Sequence, residues 1–145
     1  MSGAPSAETL VGLKLPGGIL NLSAGDDAAL RGILGSAPAA DGAAHPLFGF
    51  IGAMRGMGID WHGFFALCGA SADDGPMMGE TDLDLRRPLQ TGRDYAVTAE
   101  IVGFEHKAGR RTGPFDIVTL QVVIADPDGP AAVLRQSIIL PRASR

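Results

Sequence analysis

Three histidines and one cysteine carry most of the proton and electron-pair chemistry available to this 145-residue chain. His45 follows Asp41 by four positions, and His62 follows Asp60 by two, with Trp61 between them. An imidazole beside a carboxylate is the usual pair for general acid–base work. His45 opens an apolar segment, where it is a candidate base or the cap of a helix; Asp41 is its candidate partner or a loop residue. On a regular helix, residues two apart do not face each other, so Asp60 and His62 pair only where the backbone is irregular. Glu80, directly after Gly79, is a candidate lone base or a solvated carboxylate on a strand. Cys68 follows an aromatic run with no basic neighbour in sequence, which predicts a buried, inert thiol. Its single occurrence excludes an internal disulfide and fits a reducing compartment. The histidines and cysteine are scattered, with none of the usual ligand spacings, so no metal is expected.

One basic cluster stands out, His106, Lys107, Arg110 and Arg111 around Ala108 and Gly109. Arginine forks match phosphate through bidentate hydrogen bonds; the alternative is a solvated hairpin tip. Arg86 and Arg87 precede Pro88, and strand alternation turns one of the two to water. The chain as a whole is acidic, with a formal net charge of −4 and a pI of about 5.2, which argues against nucleic acid or an anionic membrane as its partner.

These residues need elements to place them. Positions 1–9 read as a loose tail and 10–142 as a single domain. Positions 18–22 read as a first short strand. A helix capped by Asp26 follows, with Ala29, Leu30, Ile33 and Leu34 on one face and Gly35 as its stop. Positions 36–44 read as a loop. The apolar block 45–67 opens with Pro46, which suits a helix start. Its residues 47, 50, 51 and 54 are spaced as a buried helical face. Five interior glycines each cost a helix about 0.5–1 kcal/mol, which predicts close packing on a sheet or on a second chain, with a break near 56–58. The period then changes to two. Leu83 and Leu85 alternate with acids; Tyr95, Val97, Ala99 and Ile101 share a face; Val118, Leu120, Val122 and Ile124 share another. Asp126-Pro127-Asp128-Gly129 is a turn, and a last strand covers about 132–140. The sum is an α+β domain whose antiparallel sheet must cover the apolar block.

Composition agrees. Hydrophobic residues make up 46% and charged residues 19%, and the mean hydropathy is +0.17, values of a globular chain. The 21 glycines and 10 prolines favour many turns over a plain helix bundle. The longest run without a charged residue is the 13 positions 42–54, too short for a membrane span of roughly 18 or more. The first ten residues have no basic or apolar leader region. The expected location is cytoplasmic.

The segments GETDLDLRRPLQTGRDYAVTAEI, KAGRRTGPF and VVIADPDG together resemble the MaoC-like acyl-CoA hydratase/dehydratase family, nearest to the N-terminal half of the fatty-acid-synthase-type dehydratase. The resemblance spans about 10–142. It implies the hot-dog fold, one antiparallel sheet wrapped around a long central helix, and dimers joined at sheet edges. It implies reversible addition of water across an enoyl thioester, with coenzyme A thioester as substrate or ligand and no other cofactor. It places Lys107, Arg110 and Arg111 at coenzyme A phosphates, and Phe48, Met54, Met57, Trp61 and Phe65 around a large acyl group; the bland alternative for these five is a plain core helix. Active members resemble Gly-Asp-x-Asn-Pro-x-His and use an Asp and a His together, with a Gly-rich helix N-terminus polarising the thioester carbonyl. Here positions 41–46 read Asp-Gly-Ala-Ala-His-Pro without Asn-Pro, and Met78-Gly79 stands where His-Gly is expected. The departures imply the catalytically degenerate subunit of a heteromeric hydratase, whose partner supplies the Asp/His pair. The alternatives are a stand-alone hydratase or thioesterase using His45, His62 or Glu80, and a non-catalytic acyl-CoA-binding domain. A homo- or hetero-oligomer with a MaoC-like subunit is the expected assembly.

Overall fold

Period-two alternation dominates the second half of the chain, and it builds the sheet. A computed structural model describes residues 5–142. Its five strands are β1 (Gly18–Asn21), β2 (Met77–Leu85), β3 (Asp94–Gly109), β4 (Gly113–Asp126) and β5 (Gly129–Pro141). They form one antiparallel sheet in the order β1-β3-β4-β5-β2. Along β4, Val118, Leu120, Val122 and Ile124 are buried while their neighbours are half-exposed, and Tyr95, Val97, Ala99 and Ile101 do the same along β3. The expected turn at 126–129 joins β4 to β5.

Among the described residues are four α-helices, α1 (Ala7–Leu10), α2 (Ala24–Leu34), α3 (Phe48–Gly56) and α4 (Trp61–Leu67), and a short 3-10 helix over Ala72–Asp74. The apolar block divides where expected, at 57–60, between α3 and α4. Helix α3 lies in the concave side of the sheet and touches all five strands. Its glycines explain how it comes so close. A Cβ at Gly49 would lie 3.0 Å from Leu83 of β2, one at Gly52 2.7 Å from Leu20 of β1, and one at Gly56 2.5 Å from Val97 of β3. Three glycines at i, i+3 and i+7 therefore form the face that meets the sheet.

Several expectations need correction. The face of α3 toward the sheet is the small-residue one; Leu47 is 40% exposed, and Phe50, Ile51 and Met54 are only half-buried. Part of the tail expected over 1–9 is α1, closed by a capping box between Ser6 and Thr9, with Leu10 buried; residues 1–4 lie outside the described residues. The cap of α2 is Ser23, whose Oγ accepts the Asp26 N–H at 2.9 Å; Asp26 sits in the first turn and pairs with Arg55. Of the apolar residues expected on one face of α2, Leu30 packs against the core while Ala29, Ile33 and Leu34 are exposed. Ile33 is 83% exposed, and the residues turned inward are Asp27 and Arg31. The physical reason is the loop behind the helix, whose backbone groups are satisfied by that ion pair.

Candidate functional site

The loop 36–46 carries two of the candidate catalytic residues into the start of α3, and α2 holds it. Arg31 donates to Asp27 Oδ2 at 2.8 Å, to the Ala37 carbonyl at 2.6 Å and to the Ala43 carbonyl at 3.1 Å. Asp27 Oδ1 accepts the His45 N–H at 2.7 Å. Burial pushes the Asp27 carboxyl up, but the His45 N–H and the Arg31 guanidinium outweigh it and hold the group below the usual carboxylate range.

So anchored, His45 sits in the turn that leads into α3, whose N-cap is Leu47. The His45 Nδ1 accepts the Leu47 N–H at 3.1 Å, which puts the proton of the neutral ring on Nε2. Pro46 has no N–H to offer. The Phe48 N–H donates to the His45 carbonyl at 2.9 Å and the Gly49 N–H to the Pro46 carbonyl at 3.0 Å. The first donors of α3 are therefore occupied within the chain. Asp41 is occupied too, accepting the Ala43 N–H at 3.2 Å, and among the described residues it shares no hydrogen bond with His45.

The second pair is also apart. Asp60 caps α4 through Oδ1, which accepts the Gly63 N–H at 2.7 Å, while His62 is exposed on the first turn. Glu80 lies at an irregularity in the β2–β5 pairing between Met78 and Thr81. Its N–H donates to Ser137 Oγ at 2.7 Å, and its side chain is exposed. A Cβ at Gly79 would meet Ser137 Oγ, the hydroxyl that accepts the Glu80 N–H, so a side chain there would have to displace it. The structure thus brings none of the five candidates together as an acid–base pair.

An apolar groove of about 430 Å³ opens between the helices and the start of β2. Phe50 and Met54 of α3, Trp61 and Phe65 of α4, Met77 and Met78 of β2, and Ile138 of β5 line it. The Trp61 and Phe65 rings stack at 5.9 Å with 24° between planes. Three of the five residues expected around an acyl group, Met54, Trp61 and Phe65, lie here. Phe48 and Met57 do not; at 2% and 1% exposure they belong to the core between α3 and the sheet. Met77, Met78 and Ile138 were missed, because their shared wall exists only after β2 folds back beside β5.

Lys107, Arg110 and Arg111 occupy the exposed tip of the β3–β4 hairpin. None of the three is in an ion pair among the described residues. The tip and the groove share one end of the sheet, where β3 ends and β2 begins; His45 lies toward the other end, where Ala44 donates to the Leu89 carbonyl. His106, the first residue of the cluster, stays exposed but sets Nδ1 2.6 Å from Oδ1 of buried Asp116. Arg142 Nε donates to Asp116 Oδ2 at 2.7 Å, and its other nitrogens to the Cys68 and Gly69 carbonyls at the end of α4. Sequence reasoning missed this network, although a charge in the inward row 116, 118, 120, 122 and 124 is the signal that marks it. Arg87 grips Asp126 through two bonds of 2.7 Å, and Arg86 is the residue of that pair that faces water. Cys68 is fully buried, and burial raises its thiol to about 11. No group of three or more metal-ligating side chains occurs among the described residues, and no described helix is long and apolar enough to cross a membrane.

One sheet curled around one Gly-faced helix decides the fold. The chain adopts the hot-dog fold. No family model and no curated protein matches it by sequence. Solved hot-dog structures do match. The ChsH1–ChsH2 complex from Mycobacterium tuberculosis aligns with a TM-score of 0.71 at 14% identity, over 90% of this chain and 86% of that one. A MaoC-like dehydratase from Rhodospirillum rubrum aligns at 0.64 and 14% identity, over 99% and 100%. The HadBC (3R-hydroxyacyl-ACP dehydratase) complex from M. tuberculosis aligns at 0.65 and 14% identity, over 90% and 96%. The likeness at this identity is one of fold; what a hot-dog chain does depends on the side chains set on it.

Proposed function

We propose that this hot-dog chain is the acyl-binding, catalytically degenerate subunit of a heteromeric MaoC-like hydratase acting on a bulky enoyl-CoA thioester. The observation that carries the reading is the start of α3. A thioester carbonyl needs free backbone donors there, and water needs a free base. Here the Leu47, Phe48 and Gly49 N–H groups are occupied, and the His45 nitrogen that bears the lone pair is the one Leu47 uses. The groove beside α4 offers the acyl group an apolar wall, and the hairpin tip offers Lys107, Arg110 and Arg111 to the coenzyme A phosphates. From the row of Val118 and Ile138 to Gly113 is five residues of strand, about 17 Å at ~3.3 Å per residue, a distance that an extended pantetheine arm covers. Coenzyme A enters as part of the substrate, and the reaction calls for no other cofactor. The heteromeric part of the reading is supported by two structural neighbours that are complexes of two chains, ChsH1–ChsH2 and HadBC. A cytoplasmic place goes with soluble acyl-CoA chemistry.

The test is hydration of enoyl-CoA thioesters of several chain lengths, followed by loss of the enoyl absorbance. The lone chain should not exceed background. Mixed with a hot-dog subunit that carries the intact Asp/His segment, it should support turnover, and His45→Ala or His62→Ala in this chain should change that turnover by no more than a few-fold. Loss of a positioned acid–base group costs about 10²–10⁴-fold. Turnover by the lone chain that either histidine change abolishes would replace the proposal with a stand-alone enzyme.

A further inference from the structure

Resting on the heteromeric reading above, we infer that the free edge of β2 selects its partner by charge: it accepts a basic edge strand from a different hot-dog chain and rejects a second copy of this one. The sheet ends at β2 on one side and β1 on the other. β1 has four residues and β2 has nine, so β2 presents the longer row of unpaired N–H and C=O groups. Its start is also apolar and open. Met77 is 54% and Met78 47% exposed, and both line the groove. A strand laid along β2 would cover them and close the groove on that side.

What lies on that edge is acidic. Met77–Leu85 contains Glu80, Asp82 and Asp84 and no basic residue. Leu83 and Leu85 stand opposite Leu134 and Ala132 on the inward face, while Asp82 and Asp84 stand opposite Arg135 and Val133 on the outward face. Asp84 pairs with Arg86 at 3.1 Å across exposed surface. Asp82 and Glu80 are in no ion pair among the described residues. Consider β2 against a second β2 in antiparallel pairing. A register centred on Thr81 sets Glu80 opposite Asp82 at two places. Centred on Asp82, it sets Asp82 opposite its own copy and Glu80 opposite Asp84. Centred on Leu83, it sets Asp82 opposite Asp84 at two places. Each of these three registers opposes carboxylates about 5 Å apart, and like charges so placed destabilise a pair. A strand with Lys or Arg at alternate, outward positions converts each repulsion into attraction, and discrimination then comes from both terms.

The test needs no identified partner, because a charge-reversed copy of this chain serves as the probe. Glu80→Lys/Asp82→Lys/Asp84→Lys supplies the basic edge, and Asp82→Asn/Asp84→Asn a neutral one; all three sites are exposed, and thermal melts check that each variant folds. Sedimentation velocity at micromolar concentration should show no β2-mediated dimer for the wild-type chain or for the Lys variant alone. Their mixture should give a 1:1 complex in which hydrogen exchange slows at the amides of 77–85. Raising the salt from about 0.05 to 0.5 M should weaken that complex about tenfold or more. The Asn variant should self-associate about tenfold more tightly than wild type, since two like-charge pairs are relieved. Failure of the mixture to associate would overturn the inference. So would a wild-type homodimer that protects 77–85 as tightly as the Asn variant does. Neither outcome touches the hydration assay, and charge-selected pairing without rescued turnover would sink the catalytic reading alone.

Discussion

Arg31→Met is the sharpest test of how the start of α3 is held. The Arg31 side chain is 9% exposed and that of Asp27 is 12%. Removing the guanidinium takes away one carboxylate contact and two carbonyl contacts at once. It leaves Asp27 with the His45 N–H as its remaining partner among the described residues. Breaking a buried pair by removing one member typically costs 3–5 kcal/mol; this pair is not wholly dry, so we expect about 3 kcal/mol. At about 3–4 °C per kcal/mol for a chain of this size, Tm should fall by about 10 °C. The pH dependence should change as well. With Arg31 present the folded Asp27 carboxyl lies below its unfolded value of about 3.9. The pair therefore adds stability above pH ~4 that is lost as pH falls through the lower folded value. Without Arg31, burial is opposed only by the His45 contact, so acid destabilisation should begin at higher pH. Urea unfolding between about pH 3 and 7 reads both effects. Arg31→Lys keeps the charge but not the fork, and should fall between wild type and Met. A Met variant within about 0.5 kcal/mol of wild type, the ordinary range for a surface change, would refute the anchoring role.

Two further outcomes are expected. Gly56→Val drives a side chain into Val97 and should cost at least about 1–3 kcal/mol in urea unfolding; Val97→Ala in the same chain should recover part of the loss. Arg110→Ala/Arg111→Ala should weaken coenzyme A thioester binding by the assembled hydratase, read by calorimetry, with the difference shrinking at high salt; unchanged affinity would return the hairpin tip to solvent.

The two long strands β3 and β4 were legible because their buried stretches obey one period. Tyr95 to Ile101 and Val118 to Ile124 alternate without exception, and turns with strong chemistry bound them. The break between α3 and α4 was legible from Gly56 and Gly58. What failed was the assumption that the most apolar face of a helix is the buried one. In α3 the face closest to the sheet is Gly49, Gly52, Ala53 and Gly56, with Phe48 buried at its start, and the larger Phe50 and Met54 lie at the rim, where they form the groove. In α2 the polar needs of the loop outweigh burial of Ile33 and Leu34. The i, i+4 spacing of Asp27 and Arg31 is visible in the sequence, but nothing local says that such a pair faces inward rather than water.

The same distinction bears on the candidate site. Asp41, His45 and Asp60 were singled out by residue type, and in the structure each is engaged in holding backbone: Asp41 the Ala43 N–H, His45 the Leu47 N–H, Asp60 the Gly63 N–H. A side chain that caps a turn cannot use the same lone pair to take a proton from water. Asn-Pro is absent from 41–46, and with no such segment to position the imidazole toward a substrate, the ring turns back on its own helix. If the ring holds this turn by accepting the Leu47 N–H, His45→Ala should cost about 0.5–2 kcal/mol in urea unfolding. His45→Asn, which keeps a side-chain acceptor, should cost less. A His45→Ala protein as stable as wild type would show that the imidazole does not hold the start of α3.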